Sequence, residues 1–277
     1  MMGKIDLHIH TNCSDGVFSV KEVLEMAGNN SYTPISITDH DTIEAYDTAF
    51  PIAQAMGIEL IPGVEISSEY KTRDVHILAY NFDLENKTFR KLLHKIYKGR
   101  FVRAKKIIKK LANSGFNVNL KEIKKVAGDS NLIGRPHIAR VLMEKGYFKH
   151  PQIIFDKYLG EEGKAFVPKL TFTTEKVIKK IQEAGGVAVL AHPHLLKDDK
   201  MVKEIIEMGI DGLEVFYYKC TEQEKERYNN LALQHGLIRT GGSDFHGFMK
   251  DDALQNFSAP PLVLAELNKM KRSKQDE

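Results

Sequence analysis

The sequence predicts an α/β fold: a barrel of mainly parallel strands, close to the eight-stranded TIM type, with a helical insertion. Three observations carry this. Short apolar runs alternate with helical patterns along most of the chain. Histidines and carboxylates gather where those runs end. One long stretch, by contrast, shows helical periodicity alone.

The first run lies in "KIDLHIHTNCSDG". Side chains alternate across a strand, so His8 and His10 share one face while Leu7 and Ile9 take the other. Two imidazoles on one face can hold one metal ion, although a lone pair of this kind is more often merely exposed or hydrogen-bonded. "PISITDH" follows and ends at His40. "IELIPGVEIS" carries Glu65 near its end. In "DVHILAY", His76 precedes the apolar run; a tight turn at "YKTRD" would return this strand antiparallel and bring His76 beside Glu65. "VAVLAH", "GLEVFY" and "LIRTGGSDFH" complete seven strands. Between them, helical patterns span Val20–Asn29, Thr42–Met56, Thr174–Ala184, Met201–Met208 and Glu222–Gln234. Gly57, Gly185, Gly209 and Gly236 supply stop signals. An open doubly wound sheet is the alternative architecture.

The alternation breaks between the fourth and fifth of these runs. Phe89, Leu92, Leu93 and Ile96, then Ala104, Ile107, Ile108 and Leu111, follow the i, i+3, i+4, i+7 pattern. The expected division is a barrel from 1–86 and 168–277, with a helical insertion over 87–167 that caps the active site. Residues 87–128 hold 14 Lys and Arg against one acid, Glu122, whereas the rest of the chain has 26 basic and 36 acidic residues. Such a segment is by default a solvated helix face; its functional reading is a surface for a polyanion, with Lys105, Lys106, Lys109 and Lys110 in the foreground.

Composition is ordinary for a soluble chain of 277 residues. No apolar run approaches the roughly 20 residues of a membrane span. The chain enters its first strand without a leader-like stretch. Cys13 and Cys220 offer neither a disulfide framework nor a CxxC zinc site. These features predict a cytoplasmic protein with no membrane contact and no evident protein partner. Any metal site must be built from His and carboxylates.

The remaining chemistry-bearing residues supply them. His192 ends "VAVLAH", and Asp244 and His246 end "GGSDFHG". With His8, His10, Asp15, His40, Glu65 and His76, nine ligand-type side chains sit at or near strand ends. In a parallel barrel those ends share one face, where active sites form. A polynuclear metal site is the expectation.

As a set, "DLHIHTNCSDG", "ITDHDT", "GVEIS", "HILAY", "AHP" and "SDFHG" resemble the successive motifs of the PHP (polymerase and histidinol phosphatase) metallophosphoesterases. The resemblance spans nearly the whole chain. It implies a distorted (β/α)7 barrel and two or three divalent ions, Mn²⁺, Fe²⁺ or Zn²⁺. His8, His10, Glu65 and Asp244 would hold one; Glu65 would bridge to a second, held also by His76 and His192; Asp15, His40 and His246 would hold a third. "GRPHIA" and the insertion most resemble the stand-alone, TrpH-like branch, which includes nucleoside 3′,5′-bisphosphate phosphatases and 5′-to-3′ exoribonucleases.

Metals in such a site lower the pKa of a bound water to about 7, and the hydroxide attacks phosphorus in line. Arg135 and His137, beside Pro136 at a helix start, would bind substrate phosphate. His194 could protonate the leaving oxygen or stand by. Asp39 is a further candidate catalytic group, and Asp39 and Asp41 could orient ligand imidazoles; Asp41 serves equally as an N-cap before Thr42. The expected substrates are a phosphorylated nucleotide or short RNA. A small-molecule phosphatase, such as histidinol phosphatase, is the alternative. A non-catalytic nucleic-acid-binding module with structural metal is the second.

Overall fold

A computed structural model of the protein describes residues 3–128, 133–168, 172–247 and 256–275. In chain order it contains β1 (Lys4–Ile9), α1 (Val20–Asn29), β2 (Tyr32–Ile37), α2 (Tyr46–Ala55), β3 (Gly63–Tyr70) and β4 (Arg73–Tyr80). The helical stretch follows as α3 (Lys87–Asn113), α4 (Leu120–Ala127), α5 (Arg135–Glu144) and α6 (Pro151–Ile154). Then come β5 (Phe172–Thr173), α7 (Thr174–Glu183), β6 (Val187–Leu190), α8 (Asp199–Ile206), β7 (Gly212–Tyr217), α9 (Glu222–Gln234), β8 (Ile238–Gly242) and α10 (Leu262–Gln275).

Continuous ladders give a two-stranded sheet, β1-β2, and a six-stranded sheet, β5-β3-β4-β6-β7-β8. Isolated parallel bridges span the two seams between them. Ile35 pairs with Leu60 and His40 with Glu65 on one side, and Ile9 pairs with Phe245 on the other. Seven strands thus follow one another around a ring, β1-β2-β3-β4-β6-β7-β8 and back to β1. The ring is distorted because β4 runs antiparallel to both β3 and β6. The turn at Lys71 and Thr72 that reverses it has positive φ at both residues. The third apolar run is split at Pro62: its first half meets β2 only through the Leu60 bridge, and the ladder begins at Gly63. Glu65 therefore lies near the start of β3 and not near its end.

Leu7, Leu78, Tyr80, Val187 and Val189 fill one side of the strands, with Val263 and Leu267 of α10 packed on them. α1 and α2 cover β2 through Val23, Leu24 and Ala49. α7, α8 and the first half of α3 cover the strands from β3 to β7. The second half of α3 belongs to another cluster, with Ile123 of α4, Ile138 and Leu142 of α5, and Leu159. α3 is one helix of 27 residues shared by both cores.

Candidate metal centre

β1 carries His8 and His10 into the ring, both fully buried. The end of β8 is stitched against them. Asp244 N–H donates to His8 O, and His10 N–H donates to Phe245 O, both at 2.9 Å. Gly242 permits this approach, since a Cβ there would sit 2.2 Å from His8 Cβ. Asp6 locks the same seam by accepting from Ser243 N–H at 2.9 Å and His8 N–H at 3.1 Å; burial pushes its carboxyl up to about 7. Asp244 then turns with φ +54°, a conformation that a non-glycine residue holds only when its surroundings impose it.

Glu65 is the hub. Its Oε2 lies 3.2 Å from His8 Nε2, 3.2 Å from His10 Nε2 and 3.1 Å from His40 Nδ1. Its Oε1 lies 2.9 Å from both His76 Nδ1 and His192 Nε2. Antiparallel pairing delivers His76, which stands opposite Ser67, on the same face as Glu65. Asp244 Oδ1 is 3.1 Å from His10 Nε2 and 3.3 Å from His8 Nε2. Asp15 Oδ1 is 3.3 Å from His246 Nε2, and Asp15 Oδ2 is 3.8 Å from His40 Nε2.

Three overlapping groups result: His8, His10, Glu65 and Asp244; His10, Asp15, His40 and His246; and His40, Glu65 and His76. His10, His40 and Glu65 each belong to two of them. All nine side chains expected at a metal site are thus gathered in one place. The grouping differs in two respects from the one the resemblance implies: His10 joins Asp15, His40 and His246, and His40, rather than His192, completes the set around Glu65 and His76, while His192 touches Glu65 directly.

The donor set fits divalent cations. His8 Nδ1–H donates to Glu214 Oε1 at 2.8 Å, which leaves the Nε2 lone pair facing inward. His246 Nδ1–H donates to Asp244 O at 2.9 Å with the same result. His8 Nε2 and His10 Nε2 face each other at 3.1 Å, close enough to share a proton or one cation. Burial opposes ionisation of Glu65 and Asp15, but the surrounding imidazoles outweigh it and hold both carboxyls well below the usual range. Among the described residues, no Lys or Arg forms an ion pair with Glu65, Asp15 or Asp244. Bound cations would supply that missing charge.

The surrounding candidates fall less uniformly. Asp39 accepts from Thr11 N–H at 2.8 Å, Thr11 Oγ at 2.6 Å and Ser14 Oγ at 2.5 Å. Its oxygens are spent on the loop that carries Asp15 and do not orient an imidazole. Asp41 is no N-cap: it has φ +57°, α2 begins only at Tyr46, and its carboxylate accepts from Ser67 N–H at 2.7 Å and Arg100 Nε at 2.7 Å. Arg135 Nη1 donates to Leu159 O at 3.2 Å, and Nη2 lies 3.7 Å from Asp74. His137 Nδ1 accepts from Gly134 N–H at 3.1 Å; its ring lines a cavity of about 110 Å³ together with Asn12 and Asp15. His194 packs against Tyr217, ring centroids 4.7 Å apart. Tyr217 in turn donates its hydroxyl to Asp244 Oδ2 at 3.0 Å.

Sequence reasoning passed over four residues: Asp6, Arg100, Glu214 and Tyr217. Glu214 matters most. It is fully buried, and its second oxygen accepts from His192 N–H at 2.7 Å. Its signal was visible, since "GLEVFY" places a carboxylate in an otherwise apolar strand, where a charge needs a partner.

The ring of strands gathers nine side chains of metal-ligand type in one place, the kind of site on which metal-dependent hydrolases are built. Residues 6–164 match the PHP domain model. The chain is 34% identical over 251 residues to a 5′-3′ exoribonuclease of Haemophilus influenzae, covering 89% of this chain and 91% of that protein. It is 29% identical over 250 residues to a 3′,5′-nucleoside bisphosphate phosphatase of Chromobacterium violaceum, covering 88% of each. A solved structure from Bifidobacterium adolescentis, described as a metal-dependent phosphoesterase, superposes with a TM-score of 0.87 at 28% identity over 96% of both chains. The chain belongs to the PHP family of metal-dependent phosphoesterases.

Proposed function

We propose that this enzyme hydrolyses phosphate esters of nucleotides, either 3′,5′-bisphosphonucleotides or short RNA from its 5′ end. The observation that carries the reading is Glu65, one buried carboxylate within 3.2 Å of five imidazoles. In this reading His8, His10, Asp15, His40, Glu65, His76, His192, Asp244 and His246 hold two or three divalent ions, Mn²⁺, Fe²⁺ or Zn²⁺. Such ions supply a hydroxide nucleophile at neutral pH and neutralise charge on the phosphoryl oxygens. Glu214 and Tyr217 fix the orientation of His8 and Asp244. Arg135 and His137 bind a substrate phosphate at the start of α5, where free N–H groups favour an anion. His194 and Asp39 remain candidates for the catalytic set, with Asp39 acting through the Asp15 loop. The relatives named above, an exoribonuclease and a bisphosphate phosphatase, support the substrate class. Neither cysteine forms a disulfide among the described residues, in keeping with a reducing cytoplasm. No described helix is long and apolar enough to cross a membrane.

The test is phosphate release with Mn²⁺ from bisphosphonucleotides, 5′-phosphorylated oligoribonucleotides and histidinol phosphate. Turnover of either nucleotide class is the expected result. Turnover of histidinol phosphate alone would refute the substrate class, and binding without any turnover would favour the non-catalytic alternative.

A further inference from the structure

α3 carries its lysines on more than one side, and the structure sorts them. Lys110 Nζ donates to Phe166 O at 2.6 Å, and Lys105 Nζ lies over the Phe101 ring, 4.6 Å from its centroid. Lys95, Lys98 and Lys106 are exposed, and among the described residues no ion pair engages them. With Val102 they form a stripe at i, i+3, i+7 and i+11, about 16 Å along the helix. This stripe is one wall of a groove of about 660 Å³. Arg103 lies in the groove, buried, its Nε donating to Val167 O at 2.7 Å. Phe172 forms part of the other wall, and no acidic residue lines the groove among the described residues.

At Arg103 the groove comes within one helical turn of Arg100 on α3. Burial, together with the nearby charges of Arg135 and Arg100, pulls the Arg103 guanidinium down to about 10. Arg100 is bonded to Asp41, next to His40 in the chain. Arg135 starts α5. The carboxylates that touch this run are Asp41, bonded to Arg100 at 2.7 Å, and Asp74, 3.7 Å from Arg135. A run of cations thus extends from the α5 N-terminus along α3.

We propose that this groove is a binding track for the phosphodiester chain of a single-stranded polynucleotide, beyond the phosphate being hydrolysed. It rests on the nucleotide phosphoesterase reading and selects oligonucleotides over mononucleotides within it. Charge complementarity favours a polyanion. The exposed Val102 and the half-buried Phe172, whose ring carries Lys176 Nζ at 4.7 Å, favour one that also brings apolar surface to pack, as bases do.

The experiment compares wild type with a triple variant, Lys95→Gln, Lys98→Gln and Lys106→Gln. None of these residues belongs to the metal or phosphate set. Binding of a phosphorothioate-linked, 5′-phosphorylated hexanucleotide is measured by fluorescence anisotropy between 50 and 200 mM salt. Hydrolysis of a hexaribonucleotide and of a 3′,5′-bisphosphonucleotide is measured beside it. For single strands the salt slope is about −0.7 per neutralised phosphate. Three contacts then give wild type about an 18-fold loss of affinity over that range. The variant should lose most of this dependence and bind the hexamer more weakly at low salt, with unchanged kcat/KM on the bisphosphonucleotide. Equal salt slopes in the two proteins would overturn the track while leaving the phosphoesterase reading intact. An acidic peptide of equal charge that competes as well as the hexamer would also overturn it, by pointing to a protein partner. Failure of wild type to hydrolyse either nucleotide would sink the functional reading, and the binding slopes would still decide the groove.

Discussion

Replacing Glu214 by Gln should weaken metal binding while leaving the fold in place. Glu214 has two oxygens and uses both, accepting His8 Nδ1–H at 2.8 Å and His192 N–H at 2.7 Å. A glutamine of the same shape has one acceptor. Whichever way the amide faces, an NH₂ meets one of these two donors, so one charge-assisted hydrogen bond is lost, worth about 1.5–3 kcal/mol. If His8 loses it, the ring is free to rotate or to move its proton to Nε2, and the inward lone pair disappears. The loss translates into metal affinity weaker by a factor of about 10 to 100, the range typical of groups that orient a ligand imidazole. The assay is competition for Mn²⁺ or Zn²⁺ against a chromogenic chelator, with metal content measured by mass spectrometry. Thermal unfolding of the metal-free protein serves as control. Wild-type affinity in Glu214→Gln would show that His8 is oriented by packing alone.

Three further outcomes are expected. Asp15→Ala should lower bound metal by one equivalent while the ions around Glu65 stay, because Asp15 touches only the His10, His40 and His246 group; unchanged stoichiometry on mass spectrometry would limit the site to two ions. Arg135→Ala should keep its metals and bind substrate about 1.5–3 kcal/mol more weakly, and identical KM values on every active substrate would remove Arg135 from the phosphate site. Arg100→Ala strands the buried Asp41 carboxylate, at a cost of about 3–5 kcal/mol in urea unfolding; a loss under about 1 kcal/mol would mean that solvent reaches Asp41.

The centre was more legible in the sequence than its supports. Ligands announce themselves because imidazoles and carboxylates are out of place at the ends of apolar strands, and period-two alternation tells which share a face. His76 could be placed only by supposing a tight turn, and the reversal at Lys71 and Thr72 supplies it. Supports behave differently. Asp39 and Asp41 flank His40 in the chain, yet neither bonds to an imbedded ligand ring; their partners, Thr11, Ser14, Ser67 and Arg100, lie far along the sequence. Side-chain hydrogen bonds of that reach depend on how strands approach in space, which local periodicity does not encode. The start of α2 was misjudged for the same reason. Asp41 looks like a cap locally, but the Arg100 and Ser67 contacts draw it into the left-handed region, and the helix waits until Tyr46.

The length of α3 has a mechanical consequence. At 1.5 Å per residue it is a rod of about 40 Å, anchored at one end by Phe89, Leu92, Leu93 and Ile96 and at the other by Ala104, Ile107 and Leu111. Cutting the chain at the helix start would pull four large side chains out of the strand-side core. At about 2–5 kcal/mol each, or about 8–20 kcal/mol together, that is comparable with the whole stability of an ordinary domain, about 5–15 kcal/mol. The helical stretch and the ring therefore share one beam and cannot be trimmed apart. Gly99 is the beam's interior glycine, where a helix bends at least cost. The residue directly after it, Arg100, bolts that point to Asp41 beside the metal centre, so a tilt of α3 would be felt at His40.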